Sequence, residues 1–293
     1  MNRSKFVGSL IGLAIGDSLG AQSEGCFAVE IIEDSISRYT DDTAMMIGVA
    51  ESLIECHGLN AEHMVKKFLE NYEKEPWRGY GAGPPRIFRM IKQGAKWDKT
   101  LDKELYPDGS FGNGSAMRVA PIGLLYQDDP NELREAAYKS SKITHSHPLA
   151  MEGAALEAYA IALALKEEEE FLDKLIGFTT NDVYQRKLEC IRKLLPKKQN
   201  KREIVKELGN GVEAFNSVPT AIYSFLTSSS FEGSLIYAVG LGGDTDTIAA
   251  MCAAIAGAWW GVEKIPKRWR EHLENRKYIE DLAENLWNMV SNG

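Results

Sequence analysis

The chain has 293 residues, 44% apolar and 26% charged, a composition that excludes a largely disordered or fibrous protein. Thirty-four basic side chains against 42 acidic ones leave a formal charge of −8, which argues against a general nucleic-acid binder and is compatible with holding cations. The four cysteines (26, 56, 190 and 252) have no CxxC spacing and read as reduced, mostly buried thiols, and the five histidines form no HExxH, so neither a disulfide framework nor a zincin site is expected.

The N-terminal MNRSKFVGSLIGLAIGDSLGA imitates a secretion signal, and its glycines at 8, 12, 16 and 20 imitate a membrane-helix contact face. Asp17 interrupts the apolar run short of the ~20 residues a bilayer span requires, so the segment reads as a buried helix whose glycine edge admits a second helix closely. No other segment reads as long and apolar enough to span, and a cytoplasmic location is expected. Helical periodicity recurs over 43–56 and 61–72. Pro84 and Pro85 fit the first turn of a helix running to about Gln93. The stretch 94–114 carries Gly, Pro and Asp and reads as a long ordered loop, a type that is often functional. An apolar helical segment covers 114–126, an amphipathic one follows Asp129 over 130–142, and Pro148 opens an Ala-rich helix to about Lys166. EEEE at 167–170 and the basic LPKKQNKRE at 195–203 read as solvated surface and linker. Further helices fit 182–195, 201–208, 212–227, 231–239, 245–260 and 275–290. Strand-like candidates are confined to 31–32 and 236–241, and no fixed repeat is visible. The expected fold is all-α: one domain over 1–293 with roughly a dozen helices.

Two segments concentrate carboxylates. YTDDTAMM (39–46) and GLGGDTDTIAAM (240–251) each place Asp and Thr just before an apolar helical pattern. Asp41 and Asp244 suit helix caps, which is one reading. A cap needs one side chain, however, and four carboxylates fall within two helix starts. If the two starts meet, Asp41, Asp42, Asp244 and Asp246 gather four negative charges, and desolvated carboxylates must bind protons or find partners. No Lys or Arg lies in either motif, and two divalent cations would balance the charge. Carboxylate and Thr hydroxyl oxygens suit Mg²⁺ or Mn²⁺ rather than zinc or copper. DTDT at 244–247 has a rival reading, as the first four positions of the DxDxT nucleophile motif of haloacid-dehalogenase-type phosphatases, for which 236–241 would be the required strand; a phosphatase is an alternative reading.

Three further segments bear on a ligand. GYGAGPP (79–85) offers backbone amides to phosphate oxygens, or is a tight turn. SFGNGSAMR (110–118) is a second glycine-flanked helix start, in which Phe111 is a stacking face or a core residue. In ITHSHP (143–148) the two histidines, at i and i+2, share no helix face; one is a ligand contact or a surface residue. Glu24, which follows Asp17 in GDSLGAQSEG, is a catalytic candidate if the fold brings it to the cations.

In this order, GLAIGDSLGAQSEG, YTDDTAMM, GNGSAMRVAPIG, ITHSHPLA and GLGGDTDTIAAM resemble the ADP-ribosylglycohydrolases, a family that includes the dinitrogenase-reductase-activating glycohydrolases and the ADP-ribosyl-acceptor hydrolases. The resemblance runs from about Lys5 to Trp260. RGYGAG (78–83) and ELGNGVEAFNSVPTAIYSFL (207–226) are most similar to the serine-directed type 3 branch and less similar to the arginine-directed branches. The resemblance implies a compact orthogonal multi-helix domain with two Mg²⁺ or Mn²⁺ in a central cleft. It implies Thr40, Asp41 and Asp42 on one metal-binding segment and Asp244, Asp246 and Thr247 on the other, with Asp246 bridging. Glu24 and Asp42 would be catalytic, Glu24 as acid/base or as a gate. Gly79, Tyr80, Gly81, Ala82 and Gly83, with Ser110, Phe111, Gly112, Asn113 and Gly114, would hold the ADP-ribose; Phe111 would stack on adenine, Val212 pack on it, and His145 contact substrate. Pro84 and Pro85 depart from the type 3 pattern. The implied reaction is hydrolysis of the anomeric bond between ADP-ribose and an acceptor, O-linked through serine or acetyl, by metal-activated water. Arginine-linked substrate and a non-catalytic ADP-ribose binder are the alternatives. A monomer is expected, with no membrane or nucleic-acid partner.

Overall fold

The computed structural model describes residues 2–25, 36, 38–197 and 200–291. In chain order the helices are α1 (Arg3–Gly20), α2 (Asp41–Glu55), α3 (Ala61–Lys74), α4 (Gly83–Lys92), α5 (Ala120–Leu125), α6 (Pro130–Ser141), α7 (Pro148–Leu165), α8 (Phe171–Phe178), α9 (Asp182–Leu194), α10 (Lys201–Leu208), α11 (Ala214–Leu226), α12 (Phe231–Val239), α13 (Thr245–Trp260), α14 (Lys267–His272) and α15 (Arg276–Ser291). Among the described residues there is no strand, only one isolated bridge between Gly112 and Glu213. The helix starts follow local chemistry. Asn60, Asp129, Asn181, Asn200 and Ser230 each accept a backbone N–H from the first turn of α3, α6, α9, α10 and α12.

Several expectations are corrected. The strand candidate 236–241 falls mostly in α12, which removes the strand a DxDxT phosphatase needs before its first Asp. The candidate 31–32 lies outside the described residues. The basic linker 195–203 ends in α10, because Asn200 caps a helix from Lys201. Helices α8 and α14 were not anticipated; with 8 and 6 residues they are too short to display a period. The loop 94–114 contains 3-10 turns at Trp97–Lys99 and Leu101–Glu104. Beyond the N-terminus, α7 does have the length and apolarity of a bilayer span, yet 72% of it is buried within the fold. Of the described cysteines, all free, Cys252 is buried whereas Cys56 and Cys190 are half-buried; Cys26 lies outside the described residues.

The centre of the molecule is the antiparallel pair α1 and α13. Residues 5–20 of α1 are all buried, as are 245–258 of α13, so neither helix has a polar face to show solvent. The glycine edge explains the fit. A Cβ at Gly8 would stand 2.9 Å from the carbonyl carbon of Gly261; at Gly12, 3.1 Å from that of Ala253; at Gly16, 2.6 Å from that of Ala249; at Gly20, 2.5 Å from Cα of Asp246. Only hydrogen fits at these four positions. The four-residue step on α1 meets a descending four-residue step on α13, so the register is fixed over the whole helix. Helices α7, α11 and α12 pack around α13, and α15 packs on α1. The consequence for function is positional: the C-terminal end of α1 is held against the N-terminal end of α13. Thr245 Oγ1 donates to Gly20 O at 2.8 Å, and Gly25 N to Gly243 O at 3.0 Å.

Candidate active site

The two aspartate-bearing helix starts converge at this junction. Asp17, on the last turns of α1, is the connector. Both its oxygens accept the backbone N–H of Thr40 at 3.0 Å, and Oδ2 also accepts Thr43 N at 3.0 Å and Thr43 Oγ1 at 2.6 Å. It therefore supplies from a distant segment the acceptor that the first turn of α2 needs. Thr40 is the local cap, with Asp42 N donating to its Oγ1 at 3.4 Å. Asp244 stands at the cap position of α13 but makes no capping bond. Its carboxylate instead accepts from Asn113 Nδ2 at 2.5 Å, and Asn113 also donates to Ser217 Oγ at 3.1 Å. Asp246 Oδ1 accepts Thr247 N at 2.8 Å. Capping thus accounts for Thr40 and leaves Asp41 and Asp244 without that role. Across the junction Thr247 Oγ1 lies 3.5 Å from Asp42 Oδ2. Glu24, Asp244 and Asp246 each present a carboxylate oxygen, and these oxygens lie within 4.8 Å of one another.

The electrostatics of this cluster are unbalanced. Burial, then the charges of Asp17 and Asp246, raises the Asp41 pKa to about 7. Asp42 is fully buried and pushed well above the ordinary carboxylate range by burial and then by Asp17 and Asp246. Burial and then Asp246 raise Asp244 to about 8. Asp17 rises to about 6, mainly by burial, although its hydrogen bonds pull it down. For Glu24 the charge of Asp246 is the larger cause and partial burial the smaller. Arg118 is a buried cation near the cluster. Its guanidinium lies 4.7 Å from the Phe68 ring centroid, and it donates to Ser140 O at 3.0 Å and Met45 Sδ at 3.7 Å. Burial lowers its pKa to about 9, against the pull of Asp41. One guanidinium cannot neutralise five or six carboxylates. Asp42 Oδ1 is moreover buried with no hydrogen-bond partner among the described residues. All-oxygen donors, surplus negative charge and an orphaned carboxylate oxygen fit hard divalent cations.

The acids form one end of a cleft of about 360 Å³. Gly79, Gly81, Ala82 and Gly83 line one wall; Ser110, Phe111, Gly112, Asn113 and Gly114 line the other; Val212 and His145 complete it. Gly79 has φ +85, a backbone conformation glycine adopts at no steric cost. Gly114 admits the His145 ring: a Cβ there would lie 2.6 Å from its Cε1. His145 is buried, its Nδ1 is 2.8 Å from Thr144 Oγ1, and burial with the Arg118 charge lowers its pKa to about 3, so the ring is neutral. Phe111 is 46% exposed and Val212 59%, so both offer apolar faces to the cleft rather than serving the core. The Phe111 ring is braced edge-on by His147 at 5.7 Å and at a tilt by Phe215 at 6.0 Å.

Tyr80 departs from expectation. It does not line the cleft but packs edge-on against Tyr72 at 5.0 Å and beside Phe88 at 6.5 Å, because the residue after Gly79 points toward α3 and α4. Thr40 acts as cap beside the cleft rather than as part of its lining. Pro84 and Pro85 fall in the first turn of α4, where proline removes no needed donor, and Pro84 reaches the cleft. Sequence reading gave no site role to Asp17, Arg118, Met45, Tyr106, Met117 or Thr144. For Asp17 a signal existed: an acid inside an otherwise apolar, glycine-spaced stripe must be buried and so must have partners.

Known proteins agree with this architecture. Residues 1–293 match the family model of the ADP-ribosylglycohydrolases. The ADP-ribosylhydrolase ARH3 of Xenopus tropicalis is 37% identical over 97% of this chain and 95% of that protein. The ADP-ribosylhydrolase ARH3 of Homo sapiens is 34% identical over 97% of this chain and 93% of that protein. The solved ADP-ribosylglycohydrolase-related protein complex superposes with a TM-score of 0.80 at 28% identity, covering 98% of both chains. An all-α hydrolase scaffold with an acidic, glycine-walled cleft is the class these observations define. The chain belongs to the ADP-ribosylglycohydrolase family and is a glycohydrolase.

Proposed function

We propose that this protein hydrolyses the anomeric bond of O-linked ADP-ribose, carried by a serine side chain or a small acyl group, with two Mg²⁺ or Mn²⁺ in the acidic cluster. The observation that carries the reading is the meeting of Glu24, Asp41, Asp42, Asp244 and Asp246 at one end of a cleft whose walls are glycine loops and an exposed phenylalanine. Asp41, Asp42, Asp244, Asp246, Thr40 and Thr247 would hold the cations, which when bound supply Lewis acidity toward ribose hydroxyls and water.

The chain's own groups supply the rest. The 79–83 loop lines the cleft, and its backbone amides suit a diphosphate, whose charge the net acidic surface would otherwise repel; Pro84 and Pro85 leave the first turn of α4 with fewer amides to add. Phe111 and Val212 offer an apolar site for the base. Neutral His145 can donate or accept one hydrogen bond from its Nε2 side, which faces Gly112 and Gly114. Hydrolysis builds positive charge at the anomeric carbon and negative charge on the leaving oxygen. Surrounding carboxylates stabilise the first. Glu24, the most exposed of the acids, takes a proton from the attacking water or assists the departing oxygen. Likeness to proteins named ARH3, and the type 3 character of RGYGAG and 207–226, support O-linked over arginine-linked substrate.

A release assay on serine-, acetyl- and arginine-linked ADP-ribose, with and without chelator, tests this. Release from the first two, abolished by chelator and restored by Mg²⁺ or Mn²⁺, is expected. Release from the arginine conjugate alone would replace the acceptor assignment. ADP-ribose binding with no release from any conjugate would make the protein a binder.

A further inference from the structure

The 3-10 turn Leu101–Glu104 carries a fully buried carboxylate that no step above uses. Oδ2 of Asp102 accepts two backbone N–H groups, from Ser110 at 2.8 Å and from Ser146 at 2.7 Å. The donors belong to two different parts of the cleft. Ser110 begins the loop that presents Phe111 and Gly112–Gly114. Ser146 sits between His145, which lines the cleft, and His147, whose ring braces Phe111. The backbone that carries it is anchored, because the Asp102 main-chain carbonyl accepts Leu105 N at 3.0 Å and Tyr106 N at 2.8 Å. Gly109, with φ +85, lets the two loops touch; a Cβ there would lie 2.8 Å from His147 N.

Stability alone is a poor reason for an acid at this place. Its second oxygen, Oδ1, is buried with no partner among the described residues, as is the nearby Ser146 Oγ. An unpaired buried acceptor is costly. What the side chain provides is one oxygen that accepts two backbone N–H bonds and so fixes one loop relative to the other.

We propose that Asp102 is a positioning residue for the nucleotide end of the substrate: it clamps the 110–114 loop to the 145–147 turn, so that Phe111 and His145 stand in fixed register. The proposal rests on the ADP-ribose reading of the cleft. It separates binding from chemistry: Asp102 itself contacts none of the acids around Glu24, and Asn113, the residue of the clamped loop that donates to Asp244, is held separately by Val212 O at 2.9 Å and Ser217 Oγ at 3.1 Å.

The test uses the metal-loaded protein and ADP-ribose as calorimetric probe, with steady-state release kinetics. Asp102→Ala should raise the ADP-ribose Kd and the KM at least tenfold, leave kcat at saturation within twofold and leave Mg²⁺ affinity unchanged. Asp102→Asn, which keeps one oxygen acceptor, should stay within threefold of wild type in Kd. A wild-type Kd in folded Asp102→Ala would overturn the proposal, and so would an equal loss of kcat and Mg²⁺ affinity. Should Asp102→Ala not fold, Asp102→Glu, whose carboxylate is one methylene misplaced, is read by the same criteria. If wild-type protein itself fails to bind ADP-ribose, the nucleotide reading falls instead. The clamp is then judged by amide exchange at Ser110 and Ser146, which Asp102→Ala or Asp102→Glu must accelerate at least tenfold.

Discussion

Glu24 and Asp246 show how neighbouring carboxylates take different work. Glu24 is exposed and its pKa is raised chiefly by the charge of Asp246, so it can exchange protons with solvent and substrate. Asp246 is buried at the centre of the cluster and influences every other acid there. Replacing Glu24 by Gln should keep ADP-ribose binding and lower turnover by roughly 10²- to 10⁴-fold, the usual worth of a positioned acid or base. Turnover at the wild-type rate would remove its assignment. Asp246→Asn should weaken Mg²⁺ or Mn²⁺ binding by about 100-fold or more, beyond the ~10- to 100-fold typical of outer-shell partners, with turnover falling in parallel. Calorimetric titration of the metal checks this; unchanged metal affinity would contradict it. The sequence showed both residues as candidates, since acids crowd two motifs. It did not show Tyr80 turning into the packing of α3 and α4, because a tyrosine among glycines is compatible with either direction.

At the scale of elements, α1 and α13 decide where the chemistry sits. Their contact is backbone on backbone, so a methyl group has nowhere to go. Gly16→Ala should destabilise the fold by about 3 kcal/mol, the upper range of overpacking, because the atoms it meets are main chain and cannot swing away. Gly177→Ala is the control. It lies on exposed helix surface with nothing within 4 Å of the added Cβ, and should stabilise by roughly 0.5–1 kcal/mol. Chemical denaturation of both variants measures the contrast, and a neutral Gly16→Ala would refute the close-packing account. The glycine spacing announced this contact in the sequence. Its partner was not announced, because the small side chains of α13 (Ala249, Ala253, Gly257) are scattered in a segment rich in alanine throughout.

For the whole molecule, the acidic cluster couples stability to pH and to cations. A carboxyl whose pKa is higher in the folded chain than in the unfolded one binds more protons when folded, so its stabilising contribution is present at low pH and lost as pH rises. Asp17, Asp41 and Asp244 start from an ordinary value of 3.8 and reach about 6, 7 and 8 in the fold. The metal-free protein should therefore lose thermal stability steadily between about pH 5 and pH 8. Saturating Mg²⁺ or Mn²⁺ should raise Tm most at the alkaline end and flatten the curve, since cations replace the missing protons. Differential scanning calorimetry with chelator and with metal reads both effects. A metal-free Tm that rises through this range would show that the cluster is compensated in some other way.

The sequence by itself determined the helical class, most helix boundaries, the close-packing edge of α1 and the two acidic helix starts, because each is written in local spacing and side-chain chemistry. The tertiary structure decided that the two starts meet, that Asp17 rather than a local residue accepts the amides of Thr40 and Thr43, that Arg118 lies buried beside the acids, and that Asp102 joins the 110–114 loop to the 145–147 turn. Apart from Asp102 and Ser110, eight residues apart, these relations link residues distant in the chain. They exist because the fold excludes water around them, and desolvation is a property of packing that no short window of sequence contains.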